Sequence, residues 1–225
     1  MRDNSLPLEF SGPPESHAAA RGIPRHEIAG VDEAGRGPWA GPVVAAAVIL
    51  PSPARRDRSA RAGGWWRFGV RVDDSKRLTP RQRACAYHAI LQHAVVGVGI
   101  MPATEIDAGH IGLATLAAMA QAVNGLERVP ALVLVDGLQA PPVAPPCWTI
   151  VRGDQRSPAI ACASIVAKVL RDSLMQFYHR LFPAYGFQRH VGYGTEGHLQ
   201  ALRAHGPSAL HRLSFAPVAQ WPREG

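Results

Sequence analysis

Apolar and polar positions along the chain fall into two kinds of stretch, short runs suited to buried strands and longer ones with helical spacing. An apolar run from Ile28 ends in Asp32-Glu33, and Val43 to Leu50 is apolar and β-branched at several positions. Both predict strands, the second buried on both faces. Trp65 to Val72, residues 94–100, Ala131 to Val135 and Cys147 to Val151 are further strand candidates. Thr79-Pro80-Arg81-Gln82 supplies an N-cap, a proline at the first helical position and a capping-box glutamine, so a helix starts there and runs towards His93. Ile111 to Val123 has helical spacing and stops near Asn124-Gly125. Ser157-Pro158 caps a long helix reaching about Leu181, and shorter helix starts stand at Thr195 and Ser208. Strands alternating with helices predict an α/β fold. The expected organisation is a disordered leader over residues 1–25, one α/β domain over 26–185 and a small helical C-terminal extension over 186–225.

Composition narrows the setting. The 225 residues are 47% hydrophobic, enough for a real core, and carry a net charge of +7 with a pI near 10.0. A basic balance points towards a polyanion, weakly when it stands alone. The loop from Pro51 to Gly64 holds Arg55, Arg56, Arg58 and Arg61. It reads as a solvated insertion first and a contact for nucleic-acid phosphate second. Cys85, Cys147 and Cys162 form no CxxC pair and sit in apolar neighbourhoods, as buried free thiols in a reducing compartment do. With no apolar run of about 18 residues and no secretory signal, the expected setting is soluble and cytoplasmic. Nothing suggests an oligomer, so a monomer is expected.

Acids supply the candidate chemistry. Three predicted strands deliver carboxylates at or just past their ends: Asp32 with Glu33, then Asp136, then Asp154. Open sheets bind ligands outside strand ends, so separate tips can converge on one place. Crowded carboxylates raise each other's proton affinity unless cations neutralise them. An oxygen-only set without Cys or His suits Mg²⁺ or Mn²⁺ and argues against zinc. Two such ions are the usual apparatus for in-line phosphoryl displacement. In Gly35-Arg36-Gly37, glycines flanking an arginine leave room for backbone amides to approach a polar ligand. Asp172 lies four residues after Lys168 on the long helix, which favours an intrahelical ion pair over a site role. Gly30 to Gly35 has the glycine spacing of a phosphate loop, but Arg36-Gly37 stands where Lys-Ser/Thr is required. His190, His198, His205 and His211 are scattered over a basic tail without cysteines, a poor zinc site.

These pieces resemble the ribonuclease HII family, in its order, from about Ile28 to Val218. The motifs are Gly30-Val31-Asp32-Glu33-Ala34-Gly35-Arg36-Gly37-Pro38, Asp74-Ser75-Lys76-Arg77-Leu78, Ala114-Thr115-Leu116-Ala117-Ala118-Met119 and Val135-Asp136-Gly137. Arg152-Gly153-Asp154, Ala163-Ser164-Ile165-Val166-Ala167-Lys168-Val169 and Gly192-Tyr193-Gly194-Thr195 with His198 follow. His211-Arg212 with Ser214-Phe215-Ala216-Pro217-Val218 closes the series. The resemblance implies a ribonuclease-H-like five-stranded mixed sheet flanked by helices. It implies cleavage of the RNA strand of RNA–DNA hybrids and nicking 5′ of single ribonucleotides in duplex DNA, leaving 3′-hydroxyl and 5′-phosphate ends. Asp32, Glu33, Asp136 and Asp154 match the family's metal-binding acids, with two Mg²⁺ or Mn²⁺ ions in the active complex. Gly35, Arg36 and Gly37 match the turn that senses the ribose 2′-hydroxyl, and Tyr193 the tyrosine that packs on the neighbouring deoxyribose. Ser75, Lys76 and Arg77 look like phosphate-binding groups, and Lys168 and Arg212 are candidates to grip backbone. The family usually has asparagine where His110 stands and lysine where Arg152 stands. Two alternatives stand beside this reading. A ribonuclease HIII-like hybrid nuclease is disfavoured because that family usually carries a folded N-terminal domain. A catalytically silent hybrid-binding module is disfavoured by four intact acids. The tails carry no readable signal for a sliding-clamp partner.

Overall fold

The computed structural model describes residues 12–51 and 65–221. A five-stranded mixed sheet is built from β1 (Ile28–Ala34), β2 (Val43–Ile49), β5 (Val95–Met101), β6 (Leu132–Asp136) and β7 (Cys147–Ile150), in the order β5-β2-β1-β6-β7. β2 runs antiparallel to β1 and β5, whereas β6 is parallel to both β1 and β7. The carboxyl ends of β1, β6 and β7 therefore share one edge of the sheet. Alternation along β2 serves both faces. Ala45 and Ala47 join the core beneath α4 (Ile111–Asn124), while Ala46 and Val48 join the core beneath α2 (Pro80–His93) and α5 (Pro158–Leu181). Small residues bring the helices close. A Cβ on Gly30 of β1 would overlap the backbone of Ala159 at the start of α5. That approach sets α5 directly against the strand bearing Asp32 and Glu33.

Local signals explain most element ends. Thr79 Oγ1 accepts from the Gln82 amide at 3.3 Å, and Gln82 Oε1 accepts from the Thr79 amide at 2.9 Å, the reciprocal cap read from the sequence. At the start of α4, His110 Nδ1 accepts from the amides of Gly112 (3.1 Å) and Leu113 (3.3 Å). The imidazole thus performs the capping that an asparagine side chain performs elsewhere.

Several expectations are corrected. Residues 14–20 form a helix, α1 (Pro14–Ala20), where a structureless leader was expected. Its Glu15 is buried and accepts from Ser157 Oγ at 2.5 Å and the Ala159 amide at 3.3 Å, capping α5 from outside its own segment. Trp65 to Val72 is not one strand but a two-stranded hairpin, β3 (Trp65–Arg67) with β4 (Val70–Val72). Phe68-Gly69 makes the reversal, and both have positive φ. α3 (Ala103–Ala108) lacked a sequence signal. Ser208 starts no helix, because its amide and hydroxyl engage His211 Nδ1 in a turn. Cys147 and Cys162 are buried free thiols, but Cys85 is exposed on the outer face of α2, whose buried residues are Ala86 and Ile90. The arginines at 55, 56, 58 and 61 lie outside the described residues.

The C-terminal part adds α6 (Phe187–His190) and α7 (Glu196–His205), with a core of Met175, Tyr185, Phe187, Leu202 and Val218 that also takes in Ala40. Among the described residues no helix is long and apolar enough to cross a membrane.

Candidate active site

Strand register brings the acids together. Val31 pairs with Val135 in the parallel β1–β6 ladder, so the next residues, Asp32 and Asp136, are neighbours at the shared edge. Glu33 follows on the opposite face of β1. Asp154 comes from a one-turn helix past β7 rather than from the strand itself. Arg152, with φ 54°, turns the chain there, and the Gly153 amide donates to Asp136 Oδ1 at 2.6 Å. All four acids line one cavity of about 470 Å³ with Gly35, Arg36, Gly37, Ser75, Lys76, Ser164, Lys168, Arg171 and Tyr193. A second cavity of about 310 Å³ continues beyond Glu33, Arg36 and Asp136 towards Thr115 and Met119.

The acidic wall is only partly compensated, by Arg36 at Glu33 and by Lys76 near Asp136 and Asp154. Burial, followed by the charges of Glu33 and Asp136, pushes Asp32 well above the usual carboxylate range. Burial also raises Glu33, despite Arg36 at 3.5 Å, and raises Asp136. Asp154 is pushed up to about 6, first by burial and then by Asp136 and Asp74. Among the described residues no three His, Cys, Asp or Glu side chains form a ready metal cage.

Opposite the acids, the loop from Gly35 to Pro42 rests on two buried arginines. Arg212 donates to the carbonyls of Gly35 (2.5 Å), Arg36 (2.8 Å) and Gly41 (3.0 Å from Nε, 2.9 Å from Nη2). Arg171 donates to Pro42 O at 3.1 Å and Ala40 O at 3.3 Å. Arg212 is fully buried, which corrects its reading as a phosphate contact: it braces the turn from within. The glycines of the turn also divide their work. Gly35 has φ +95°, and a Cβ there would overlap Arg171 Nε, so this glycine makes room for the arginine. At Gly37 the nearest atom to a Cβ would be Tyr193 Cε1 at 3.9 Å, so this glycine is the one open to the cavity.

Tyr193 stands across from Gly37 and is 43% exposed. Its amide donates to His190 O at 2.8 Å, and its carbonyl lies 3.0 Å from His198 Nδ1. Because the Ser208 amide donates to His211 Nδ1 (2.9 Å), the His211 proton belongs on Nε2, which faces His198 Nε2 at 3.0 Å. That assignment puts the His198 proton on Nδ1, facing Tyr193 O. Burial pushes both histidines down to about 4, so they stay neutral, and their ring nitrogens are taken up by these hydrogen bonds.

The remaining predicted residues separate. Ser75 and Lys76 line the cavity; Ser75 is buried and takes a 3.1 Å bond from Ser164 Oγ. Arg77 does not line it and pairs with Asp73 at 3.4 Å, a correction to its reading as a phosphate ligand. Lys168 lines the cavity and pairs with Asp172 at 2.9 Å, as its spacing predicts. Sequence reasoning missed Ser164, which bonds to Asp32, and Arg171. Their signal was spacing: Ser164, Lys168 and Arg171 fall at i, i+4 and i+7, one face of α5.

The ribonuclease HII family profile matches residues 29–218. Ribonuclease HII of Chlamydia muridarum is 48% identical over 213 residues, covering 94% of this chain and 91% of its own. Ribonuclease H2 from Pyrococcus horikoshii superposes with a TM-score of 0.67 at 23% identity, covering 86% of this chain and 95% of its own. Bst-RNase HIII in complex with Mn²⁺ gives 0.68 at 18% identity, covering 98% and 77%. At those identities the two solved structures bear on the fold alone.

Proposed function

The chain belongs to the ribonuclease HII family and is a ribonuclease H-type endoribonuclease, and from that premise we propose that it hydrolyses the RNA strand of RNA–DNA hybrids and nicks duplex DNA 5′ of a single embedded ribonucleotide. The products carry 3′-hydroxyl and 5′-phosphate ends, and the biological task is removal of ribonucleotides from DNA. The observation that carries the reading is the convergence of Asp32, Glu33, Asp136 and Asp154 in one cavity with the Gly35–Gly37 turn and Tyr193.

Divalent metal fits this site. The donors are all carboxylate oxygens, and their proton affinities stay raised although Lys76 and Arg36 lower them, which marks negative charge that the neighbouring side chains offset only in part. Mg²⁺ keeps several waters and takes one or two carboxylates plus substrate phosphate, so it needs no closed protein cage. Asp32, Glu33, Asp136 and Asp154 would hold two Mg²⁺ or Mn²⁺ ions, which activate water and stabilise the departing oxygen when bound.

The chain's own groups do the rest. Lys76 and Lys168 present ammonium groups to phosphate at the cavity. Gly37 leaves backbone exposed where a ribose 2′-hydroxyl, donor and acceptor at once, distinguishes RNA from DNA. Tyr193 offers a ring face to the adjoining sugar, where a further 2′-oxygen would crowd it. The direct experiment incubates duplex DNA holding one ribonucleotide with the protein, with and without Mg²⁺, and maps the break. A metal-dependent nick immediately 5′ of the ribonucleotide is expected; cutting that ignores chelation, or no cutting, would overturn the proposal.

A further inference from the structure

Two arginines sit where a folded protein rarely leaves charge. Arg171 is 1% exposed and Arg212 is 0% exposed, yet among the described residues neither forms an ion pair. Every hydrogen bond they make goes to a main-chain carbonyl of the segment from Gly35 to Pro42. Arg171 Nη1 is buried without a partner, although the residue lines the catalytic cavity between Gly35 and Tyr193. Its guanidinium carbon stands 5.8 Å from the Tyr193 ring centroid. Burying two like charges without a contact ion pair is unfavourable even with Asp107 and Asp172 nearby, and apolar replacements would serve packing alone better. Each guanidinium reaches more than one carbonyl of the loop at once, a fork that a point charge cannot replace.

We propose that Arg171 and Arg212 are positioning residues for ribonucleotide selection. They fix the Gly35–Gly37 turn by holding its carbonyls from behind. The inference deepens the function proposed above and rests on it. Arg212 governs the direction of the Gly35 and Arg36 carbonyls, and hence of the peptide planes that meet the 2′-hydroxyl. Arg171 fills the space that Gly35 leaves open and borders the tyrosine on the far side. The C-terminal segment locks the brace: Asp107 accepts from the amides of Leu213 (2.8 Å) and Ser214 (2.9 Å), and the Arg212 amide donates to Trp39 O at 2.8 Å.

The test replaces Arg212 by Lys, which keeps the charge and removes the fork. Steady-state cleavage is measured on a single-ribonucleotide duplex and on an RNA–DNA hybrid, with binding to the all-DNA duplex measured in chelator. The expected result is a fall in kcat on the single-ribonucleotide duplex of about a hundredfold, the scale of a small misplacement of reacting groups. KM there and affinity for all-DNA duplex stay unchanged, and the hybrid, with many ribonucleotides to offer, loses less. An unchanged ratio between the two substrates, or a rise in KM with kcat intact, would overturn the inference while the wild type still cuts both. A wild type that cuts neither would overturn the function itself, and this inference with it. Should Arg212→Lys fail to fold, Arg171→Lys carries the same comparison, because its bonds reach the same loop.

Discussion

The acidic wall and the arginine-braced turn are two halves of one cavity, built on opposite terms. Asp32, Glu33, Asp136 and Asp154 come from strand ends that the sheet register forces together; burial raises every one of them, and neighbouring carboxylates raise Asp32, Glu33 and Asp154 further. Arg171 and Arg212 come from α5 and the C-terminal segment, and among the described residues their side chains hydrogen-bond only to main-chain carbonyls; burial, then Arg171 itself, pushes Arg212 down to about 9, with Asp107 opposing. Among the described residues only Arg36, at 3.5 Å from Glu33, links the two halves as an ion pair; the buried arginines pair with none of the four acids. The wall trades stability for cation affinity, whereas the turn is a scaffold whose charge also secures its shape. Removing a charge should therefore have opposite consequences for folding on the two sides.

The largest expected effect lies on the acidic side. Asp136→Asn should lower cleavage on the order of 10³-fold, since several kcal/mol of transition-state charge stabilisation depend on cations held there. Binding of uncut hybrid, read by fluorescence anisotropy, should survive. Next comes Arg212→Ala, which strips the buried carbonyls of Gly35, Arg36 and Gly41 of their donor and should remove about 3 kcal/mol of stability in urea unfolding. A smaller contrast separates the two glycines of the turn. Gly35→Ala drives a methyl into Arg171 and should reduce both stability and cutting. Gly37→Ala meets open space and should spare the melt while reducing cleavage at a lone ribonucleotide.

Acidity sharpens the same contrast. A carboxyl raised in the folded state weakens folding increasingly as pH rises from its unfolded to its folded pKa, and the penalty is gone below the unfolded value. Asp154 stands at about 6 against an unfolded value of 3.8, so the stability advantage of Asp154→Asn over the metal-free wild type should be full at pH 8, shrink as pH falls below about 6 and vanish only below about pH 4. Comparing variant with wild type cancels the opposing effect of the buried histidines. The smallest effect is expected at Asp172, whose partly exposed pair with Lys168 contributes about 0.5 kcal/mol. Asp172→Asn should leave cleavage untouched; a marked loss would make it a site residue after all.

The acids were legible in the sequence because each follows an apolar run that ends abruptly, and a buried strand can terminate in a carboxylate only for a reason. The helices of residues 80–93 and 158–181 were legible from their caps. The brace was not. Arg212 looks in sequence like any basic residue in a basic tail, and its burial depends on chain crossing from residues 210–212 to residues 39–41, which no local pattern encodes. Gly35, read as room for a ligand, lines the cavity and also makes room for Arg171 behind it. α1 escaped notice because its seven residues derive their order from Glu15 reaching the start of α5, a contact across more than a hundred residues.

Calorimetric melting at pH 8 of the metal-free wild type and Asp32→Asn, each repeated with Mn²⁺, tests most directly whether the wall holds charge that only a cation relieves. The variant should melt higher without metal, and Mn²⁺ should raise the wild type more than the variant. A metal-free wild type that melts above Asp32→Asn, with both raised equally by Mn²⁺, would contradict it.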